Sequence, residues 1–189
     1  NELFDGVIMA NGIFAEGFIP ATKGMSRFDG NIIHSGEYKN SGQFKNRHVT
    51  VIGGSYSGYE IAADLAENGV EVSHIFGTPS WITARYSGNT PFDLTSYRYN
   101  PPISPVDAQE KWLNKLAYLE QTYGNPGDAH PDLHLDSTNP APANIVIAEN
   151  YIPHVQNERI TPYRDQITSF DKDRIHLATG RAVHTDTVI

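Results

Sequence analysis

Residues 53–58 carry the pattern of residue types that is best suited to bind a ligand. They are Gly53, Gly54, Ser55, Tyr56, Ser57 and Gly58. Glycine permits a tight turn, and the unpaired N–H groups at the start of a helix attract anions. The order matches the Gly-x-Gly-x-x-Gly fingerprint of dinucleotide-binding turns except at its middle glycine, where Ser55 stands. Because a serine hydroxyl can donate to a phosphate oxygen, we predict that this segment binds a dinucleotide pyrophosphate; the alternative is a glycine-containing turn without a ligand.

The segments on either side of this turn have the patterns of a strand, a helix and a second strand. Residues 49–52 are β-branched, which predicts a buried strand, and residues 70–76 predict another. Four apolar residues recur at helical spacing between them: Ile61, Ala62, Leu65 and Ala66. Ser57 is the predicted N-cap of this helix, and Gly69 is the predicted stop. A strand, a glycine turn, a helix and a strand together predict a βαβ unit.

Composition limits the classes of protein to which the chain can belong. Its 189 residues, 39% of them hydrophobic, are enough for one large globular domain. The net charge of −8 argues against a nucleic-acid surface. There is no secretory signal and no run of about eighteen apolar residues, so no membrane segment is predicted and a cytoplasmic protein is expected. The absence of cysteine excludes disulfides, thiolate metal sites and a Cys-x-x-Cys redox centre.

Four residues upstream of the glycine turn connect the chain with a known family. Phe28, Gly30, His34 and Tyr38 have the spacing of Phe-x-Gly-x-x-x-His-x-x-x-Phe/Tyr, the identifying sequence of flavin-containing monooxygenases. The glycine turn follows at the spacing that this family uses, and it resembles the NADP fingerprint of the bacterial members. Taken alone, His34 is equally well interpreted as a packed, hydrogen-bonded loop histidine. By this resemblance we expect His34 to orient the junction between two nucleotide domains through a hydrogen bond across the linker, without transferring a proton.

The two ends of the chain also resemble this family. Residues 7–12 resemble the strand that leads from the flavin domain into the nicotinamide domain, with Asn11 at the place of a threonine. Residues 185–189 resemble the Asp-x-Val-Ile that precedes the return to the flavin domain. The resemblance therefore implies three parts: a junction strand at 1–12, a linker carrying the motif at 13–47, and an NAD(P)-binding domain at 48–189.

The resemblance implies an FAD-dependent reaction in which NADPH reduces the flavin and one atom of oxygen passes to a nitrogen or sulfur nucleophile. The flavin fingerprint of the family is not matched in this chain. We therefore expect FAD to bind only in a parent protein, where the FAD domain is the partner of this one. The chain alone is expected to bind NADP or NAD, to contain no catalytic residues and to be inactive.

The segment after the second predicted strand bears on the choice of coenzyme. In this fold it faces the adenosine ribose, so Thr78 and Arg85 are candidate contacts, although Arg85 is equally well interpreted as a solvated surface residue. Aligned on Ser80 and Trp81, the sequence has Gly77 where the family usually has an arginine for the 2′-phosphate. No acidic residue at 74–77 would repel that phosphate either. We therefore predict little preference between NADPH and NADH.

The remaining patterns complete a Rossmann-like, three-layer α/β domain with a small β-meander and an inserted helix. The predicted inserted helix covers residues 107–123, and residues 145–149 are predicted as the third strand of the nucleotide sheet. The meander is predicted at 166–170, 174–178 and 182–184, and residues 86–105 and 125–143 are predicted as loops. His130 and His134 are four apart, but Pro131 disrupts the helix that would pair them, so no metal site is predicted.

Two other functions agree with parts of this pattern. The chain can be the nucleotide domain of another flavoprotein reductase with two dinucleotide-binding domains. The absence of cysteine removes the thioredoxin reductase branch, which has its redox cysteines in this domain. The chain can also be a nucleotide-binding module without catalysis, although the motif from Phe28 to Tyr38 has no evident use in a sensor.

Overall fold

The computed structural model describes residues 3–10, 12, 14, 16–95, 105–138 and 144–189. The strands, in chain order, are β1 (Asn31–Ile32), β2 (His48–Ile52), β3 (Glu71–Phe76), β4 (Trp81–Thr83), β5 (Tyr86–Ser87), β6 (Thr90–Pro91), β7 (Ile145–Ile147), β8 (Ile160–Arg164), β9 (Ile167–Asp171), β10 (Arg174–Leu177), β11 (Ala182–His184) and β12 (Thr187–Val188). The α-helices are α1 (Tyr56–Glu67), α2 (Phe92–Thr95), α3 (Pro105–Tyr123) and α4 (Tyr151–Gln156). Single 3-10 turns lie at Met25–Arg27, Ser35–Glu37, Ser41–Phe44, Pro126–Asp128 and Pro131–Leu133.

A five-stranded parallel sheet with the order β1-β12-β2-β3-β8 forms the centre of the fold. Val49 and Val51 of β2 belong to the core that α1 covers. Ile75 and Val188 belong to the core under the antiparallel meander β9-β10-β11. Because side chains alternate across a strand, the two faces of the sheet are covered by helix and by meander respectively. The predicted α/β fold with three layers is confirmed.

Helix α1 forms because small and aliphatic residues recur along one of its faces. Its buried residues are Gly58, Tyr59, Ile61, Ala62, Ala63, Leu65 and Ala66. The helix ends before Gly69, which has a φ of 81°. A side chain at that φ would be strained, so glycine at this position favours the end of the helix. The predicted strand, glycine turn, helix and strand are therefore confirmed, with β3 beginning one residue later than expected.

The sheet differs from the prediction at its third strand. Residues 145–149 were predicted to join it, but β7 pairs in parallel with β4 in a separate two-stranded sheet. The place beside β3 is taken by β8, a strand that the sequence pattern did not reveal because it contains Pro162. The N–H of Asp165 bonds to the carbonyl of Phe76, so the odd-numbered N–H groups of β8 face β3. Pro162 therefore lacks only an outward N–H, which an edge strand tolerates.

The start of the chain also differs from the prediction. The junction strand expected at 1–12 is absent from the described residues 3–10, which have no regular secondary structure. A strand needs a neighbour for its backbone groups, and none pairs with this segment in the described part of the chain. Asn11 lies outside the described residues, as do 96–104 and 139–143 of the two predicted loops. Within the first of those loops, β5 and β6 form a hairpin that α2 follows.

The inserted helix α3 builds a second, smaller core on the β4–β7 sheet. The buried residues of this core are Trp81, Leu116, Leu119 and Leu135. The helix was predicted at 107–123 and begins two residues earlier, at Pro105. Proline is favoured in the first turn of a helix because the N–H that it lacks would have no partner there. No helix within the described residues is long and apolar enough to cross a membrane.

Candidate functional site

The glycine turn lies where the order of strands in the sheet changes direction. From β2 the chain proceeds to β3 and β8 on one side, while β12 and β1 lie on the other side. In open parallel sheets, ligands bind in the crevice beyond the carboxyl ends of the strands at such a switch point. Residues 53–58 follow β2 directly and lead into α1, so the predicted pyrophosphate segment stands at the entrance of this crevice.

Glycine is needed at each of the three glycine positions of the turn, for a different steric reason in each case. Gly53 has a φ of 132°, which only glycine adopts readily. A Cβ at Gly54 would lie 2.7 Å from the carbonyl oxygen of Thr78, so Gly54 lets the loop after β3 approach the turn. A Cβ at Gly58 would lie 2.1 Å from the carbonyl oxygen of Gly53. Gly58 therefore permits the close packing of helix on strand for which the third glycine of the fingerprint is required.

Ser55, Tyr56 and Ser57 are all exposed at the N-terminus of α1. The expectation that Ser57 caps this helix is wrong, because Ser57 is its second residue and Ser55 is the N-cap. The Ser55 side chain makes no capping hydrogen bond, although its carbonyl accepts the first intrahelical bond, from Tyr59 N. The first N–H groups of a helix have no partner within it. These groups and three exposed side chains, two with aliphatic hydroxyls, are therefore presented together to an anion.

Of the two predicted ribose contacts, Thr78 lies beside the glycine turn and Arg85 does not. Thr78 is exposed, and its carbonyl lies against Gly54. Arg85 follows β4 in the separate sheet, and its N–H donates to Glu149 Oε2 at 3.1 Å. It lines a depression on α1 whose acidic residues are Glu60, Asp64, Glu67 and Glu149. In the described part of the chain, no hydrogen bond links Arg85 to Thr78.

Sequence reasoning missed an arginine that lies beside this region. Arg164 ends β8 and is paired in register with Phe76, two residues before Thr78. Its guanidinium donates to the carbonyl of His134 at 3.5 Å, and its N–H donates to Asp132 at 3.1 Å. The sequence did not indicate Arg164 as a site residue, because strand β8 was not predicted. The carboxyl ends of β3 and β8 thus bring one hydroxyl and one cation to the same edge of the sheet.

Residues of β3 and the following loop hold the turn from inside the protein. The Gly53 carbonyl accepts a hydrogen bond from Nε2 of buried His74 at 2.7 Å, and the Gly54 carbonyl accepts one from the Ser80 hydroxyl at 3.0 Å. The Ser80 N–H in turn donates to the Tyr59 hydroxyl at 3.2 Å. Burial raises the pKa of Tyr59 to about 12, so this hydroxyl stays neutral. The turn is therefore rigidly supported before any ligand arrives.

Phe28 and Gly30 of the linker motif attach β1 to the rest of the fold. The Phe28 ring packs edge-on against Phe170 of β9, with ring centroids 5.7 Å apart. A Cβ at Gly30 would lie 2.4 Å from the carbonyl oxygen of Asp186. Glycine at this position therefore allows β1 to come close to the segment that enters β12.

His34 and Tyr38 of the motif have different contacts from each other. Nδ1 of His34 accepts a hydrogen bond from the N–H of Gly36 at 3.1 Å, so the ring caps the turn that follows. The hydrogen bond is local, contrary to the expectation of one across the linker. A Cβ at Gly17 would lie 2.6 Å from this ring, which places His34 against the preceding segment. The Tyr38 hydroxyl donates to the carboxylate of Asp64 on α1.

An apolar cavity of about 230 Å³ opens at the carboxyl ends of β1, β12 and β2. Ile52 at the end of β2 lines it, as do Ile33 and Ile189, which directly follow β1 and β12, and Phe18 and His34 line it from the linker side. Ile52 immediately precedes Gly53, so the cavity adjoins the turn on the side of β12. The motif histidine and Ile52, the residue that precedes the glycine turn, therefore line the same cavity.

The residues at the crevice fit a dinucleotide. Gly53 leaves the backbone of the turn uncovered, and the start of α1 offers N–H donors where a pyrophosphate is bound in this fold. His130, in contrast, uses its Nδ1 to accept the N–H of Asp132. The described residues contain no group of three or more potential metal ligands.

Comparison with known proteins agrees with this geometry. Residues 1–103 match the family described as flavin-binding monooxygenase-like. Trimethylamine monooxygenase of Pelagibacter ubique is 36% identical over 156 residues, which are 81% of this chain and 28% of that protein. The probable indole-3-pyruvate monooxygenase YUCCA3 of Arabidopsis thaliana is 27% identical over 97% of this chain and 42% of its own length. The chain thus spans less than half the length of these curated relatives.

A solved structure shows the same fold. Cyclohexanone monooxygenase from Rhodococcus sp. Phi1, crystallised with NADP⁺, superimposes with a TM-score of 0.67 and 14% identity. The superposition covers 95% of this chain and 44% of that one. Because the matching family covers more than half of the 189 residues and includes both the linker motif and the glycine turn, the chain belongs to the flavin-binding monooxygenase-like family.

Proposed function

We propose that this chain is the NAD(P)H-binding domain of an FAD-dependent monooxygenase that oxygenates nitrogen or sulfur in a small nucleophilic substrate. The observation that carries the proposal is the packing of the glycine turn against α1 and Thr78. It leaves the backbone of Gly53 and the N-terminus of α1 open at the carboxyl end of the sheet. Family membership favours this proposal over a reductase domain or a nucleotide sensor.

The residues of the chain have distinct tasks in this function. N–H groups from Ser55 to Gly58 bind the pyrophosphate, and the Ser55 and Ser57 hydroxyls add donors. Thr78 donates to the adenosine ribose. The nicotinamide end of the dinucleotide extends towards β12, where the apolar cavity beside Ile52 excludes water. Bound NADPH supplies a hydride and bound FAD activates oxygen, and the protein orients both.

The apolar surface of residues 3–19 favours a covering FAD domain in the parent protein. Its exposed large side chains are Leu3, Phe4, Val7, Ile8, Met9, Phe14, Phe18 and Ile19. A soluble domain rarely exposes so many neighbouring apolar side chains unless they contact another surface. The cavity beside His34 opens next to Phe18 and Ile19, so one partner surface can cover both.

Titration of this chain with NADP⁺, NAD⁺ and FAD by calorimetry tests the nucleotide role. We expect saturable binding of a nicotinamide dinucleotide and no stoichiometric flavin. A visible spectrum after gel filtration with excess FAD provides the second measurement. Stoichiometric flavin with no binding of NADP⁺ or NAD⁺ would refute the proposal.

The substrate class is tested on the parent protein by substrate-dependent oxidation of NADPH. Trimethylamine and a dialkyl sulfide are the expected substrates, with the N-oxide and the sulfoxide as products. Indole-3-pyruvate is the matched comparison, because a relative is named for it. Turnover of indole-3-pyruvate alone would contradict the assignment to nitrogen or sulfur nucleophiles.

A further inference from the structure

Two buried polar side chains lie directly beneath the glycine turn. His74 of β3 and Tyr151, the first residue of α4, are both 0% exposed. Their neighbours in this core are apolar, and Val72 and Phe76 flank His74 on the same face of β3. An apolar side chain at position 74 would avoid the free-energy cost of burying an imidazole. The presence of histidine therefore requires a hydrogen bond that an apolar residue could not make.

The hydrogen bonds of His74 determine where its proton lies. A carbonyl oxygen only accepts, so the contact at 2.7 Å to Gly53 requires a proton on Nε2. In the neutral ring Nδ1 is then an acceptor, and the Tyr151 hydroxyl, 2.8 Å away, donates to it. Burial lowers the pKa of His74 to about 4 and raises that of Tyr151, which keeps both groups neutral. The hydrogen bonds therefore run in one direction, from Tyr151 through His74 to Gly53.

Aromatic packing leaves this pair little freedom to rearrange. The Tyr59 ring lies edge-on to His74 and to Tyr151, with centroid distances of 4.8 Å in each case. The Phe76 ring also lies edge-on to His74, with centroids 5.1 Å apart. Side chains in such a close-packed cluster occupy single rotamers. The Nε2 donor is consequently fixed in space relative to the sheet.

The fixed donor sets the direction of the first peptide group of the turn. In a trans peptide the C=O and the following N–H point in opposite directions. Because the Gly53 carbonyl is held inward by His74, the N–H of Gly54 is directed away from the core. In the same way, the Ser80 hydroxyl holds the Gly54 carbonyl and directs the N–H of Ser55 outward. Both N–H groups thus point away from the core, towards the surface on which residues 55–57 at the start of α1 are exposed.

We propose that His74 and Tyr151 are positioning residues for nucleotide binding, because they hold the Gly53 carbonyl inward and thereby aim the N–H groups of the turn at the dinucleotide pyrophosphate. This inference rests on the proposed nucleotide role of the domain. Neither residue touches the ligand, and their effect is transmitted through one backbone carbonyl. Gly53 has the φ of 132° that this arrangement of the peptide requires, which is why the turn begins with glycine.

The test compares four variants of the full chain with the wild type. His74→Leu removes the donor but fills the space, while His74→Gln places an amide N–H near the position of Nε2. Tyr151→Phe removes only the donor to Nδ1. Thr83→Val is the matched control, since it removes a buried hydroxyl donor on β4 that bonds to the carbonyl of Val146 and not to the turn. Each variant is characterised by its NADP⁺ dissociation constant, its free energy of unfolding and the amide NMR signals of Gly54 and Ser55.

We expect His74→Leu to weaken NADP⁺ binding about tenfold, the effect of one lost hydrogen bond at the turn, and to shift both amide signals. His74→Gln should restore most of the affinity, and Thr83→Val should lose stability without losing affinity. If folded His74→Leu binds NADP⁺ as tightly as the wild type, the inference is wrong. Where His74→Leu does not fold, unchanged affinity of Tyr151→Phe overturns it equally.

The outcome for the wild type separates this inference from the proposed function. If the wild-type chain binds no nicotinamide dinucleotide, the proposed function fails, whichever variant is compared. The amide signals of Gly54 and Ser55 still report on the turn in that case. Signals that do not move in His74→Leu would show that the imidazole does not set the turn.

Discussion

The hydroxyl of Tyr38 donates a hydrogen bond to the carboxylate of Asp64, and this contact joins the linker motif to the helix that begins at the glycine turn. The Tyr38 ring also stacks on Phe44, with centroids 5.8 Å apart and planes inclined by 12°. Burial and the neighbouring carboxylate raise the pKa of Tyr38, so its hydroxyl remains a donor at any physiological pH. The last residue of the motif therefore fixes α1 relative to β1.

Replacement of Tyr38 by phenylalanine should lower the free energy of unfolding by about 1–2 kcal/mol, towards the lower end for a hydrogen bond to a charged group because the contact is only partly buried. The ring stacking remains, so the loss reports the hydroxyl alone. Urea unfolding followed by circular dichroism measures it. Tyr118→Phe is the control, because Tyr118 is 43% exposed on α3, and it should change stability by less than about 0.5 kcal/mol. Equal effects of the two changes would show that the contact with Asp64 contributes nothing.

Placing a carboxylate at the start of α1 should separate nucleotide affinity from stability. Ser57→Glu puts a negative charge where the helix dipole favours it, so the fold should become no less stable. The same charge should repel the pyrophosphate and weaken NADP⁺ binding about tenfold or more. Calorimetry and thermal unfolding measure the two quantities. Gln109→Glu, at an exposed position near the start of α3, is the control of equal charge and should leave affinity unchanged.

Discrimination between NADP⁺ and NAD⁺ should be weak. Thr78 offers one neutral hydrogen bond, worth about 0.5–1.5 kcal/mol, and no arginine occupies position 77. Arg85 lies among carboxylates, and Arg164 bonds to the carbonyl of His134, so neither contacts Thr78. Dissociation constants for both coenzymes measure the preference. A preference for NADP⁺ above about a hundredfold, or roughly 2.7 kcal/mol, would contradict the prediction. Arg85→Ala and Arg164→Ala would then identify the responsible cation.

The stability of the domain should fall as the pH decreases from about 6.5 to about 4 because of His74. In the folded protein burial lowers the pKa of this imidazole to about 4, whereas in the unfolded chain it is near 6.5. Between these values the unfolded state binds the proton and the folded state does not, so acid favours unfolding. The shift corresponds to a loss of about 3 kcal/mol, complete near pH 4 and absent above pH 7.

The contribution of His74 is isolated by comparing wild type with His74→Gln in urea at several pH values. Burial also lowers the pKa of His48 and of His154, so the wild-type curve contains their effects as well. Those effects are present in both proteins and cancel in the difference. Parallel curves for the two proteins would contradict the prediction.

The sequence patterns predicted those elements whose structure depends on residues close together in the chain. The turn from Gly53 to Gly58, the helix that Gly69 ends and the meander were recognised to within a residue or two, because periodicity and glycine placement act over short distances. Strand β8 was missed, since Pro162 speaks against a strand unless its place at the edge of the sheet is known. Because β8 occupies the place beside β3, β7 pairs with β4 instead. This pairing could not be predicted without recognising β8.

The residues of the candidate site were likewise identified from the sequence only in part. The exposed residues of the glycine turn were identified from the fingerprint, because they lie in one continuous segment. Sequence reasoning missed His74, Ser80 and Tyr151, since their contacts with the turn join positions that are 21, 26 and, through His74, 77 residues apart. An isolated histidine within an apolar strand was the only signal, and by itself it did not identify a partner.

The place of β12 in the sheet has a consequence for how the domain folds. β1 and β2 are near neighbours in sequence, yet β12, at Thr187–Val188, lies between them and pairs with both. The sheet therefore remains interrupted between β1 and β2 until Thr187 and Val188 have been synthesised. Contacts of such long sequence separation raise the contact order and slow folding. We expect nascent chains that end before β12 to expose the edges of β1 and β2, and so to depend on chaperones until that strand emerges.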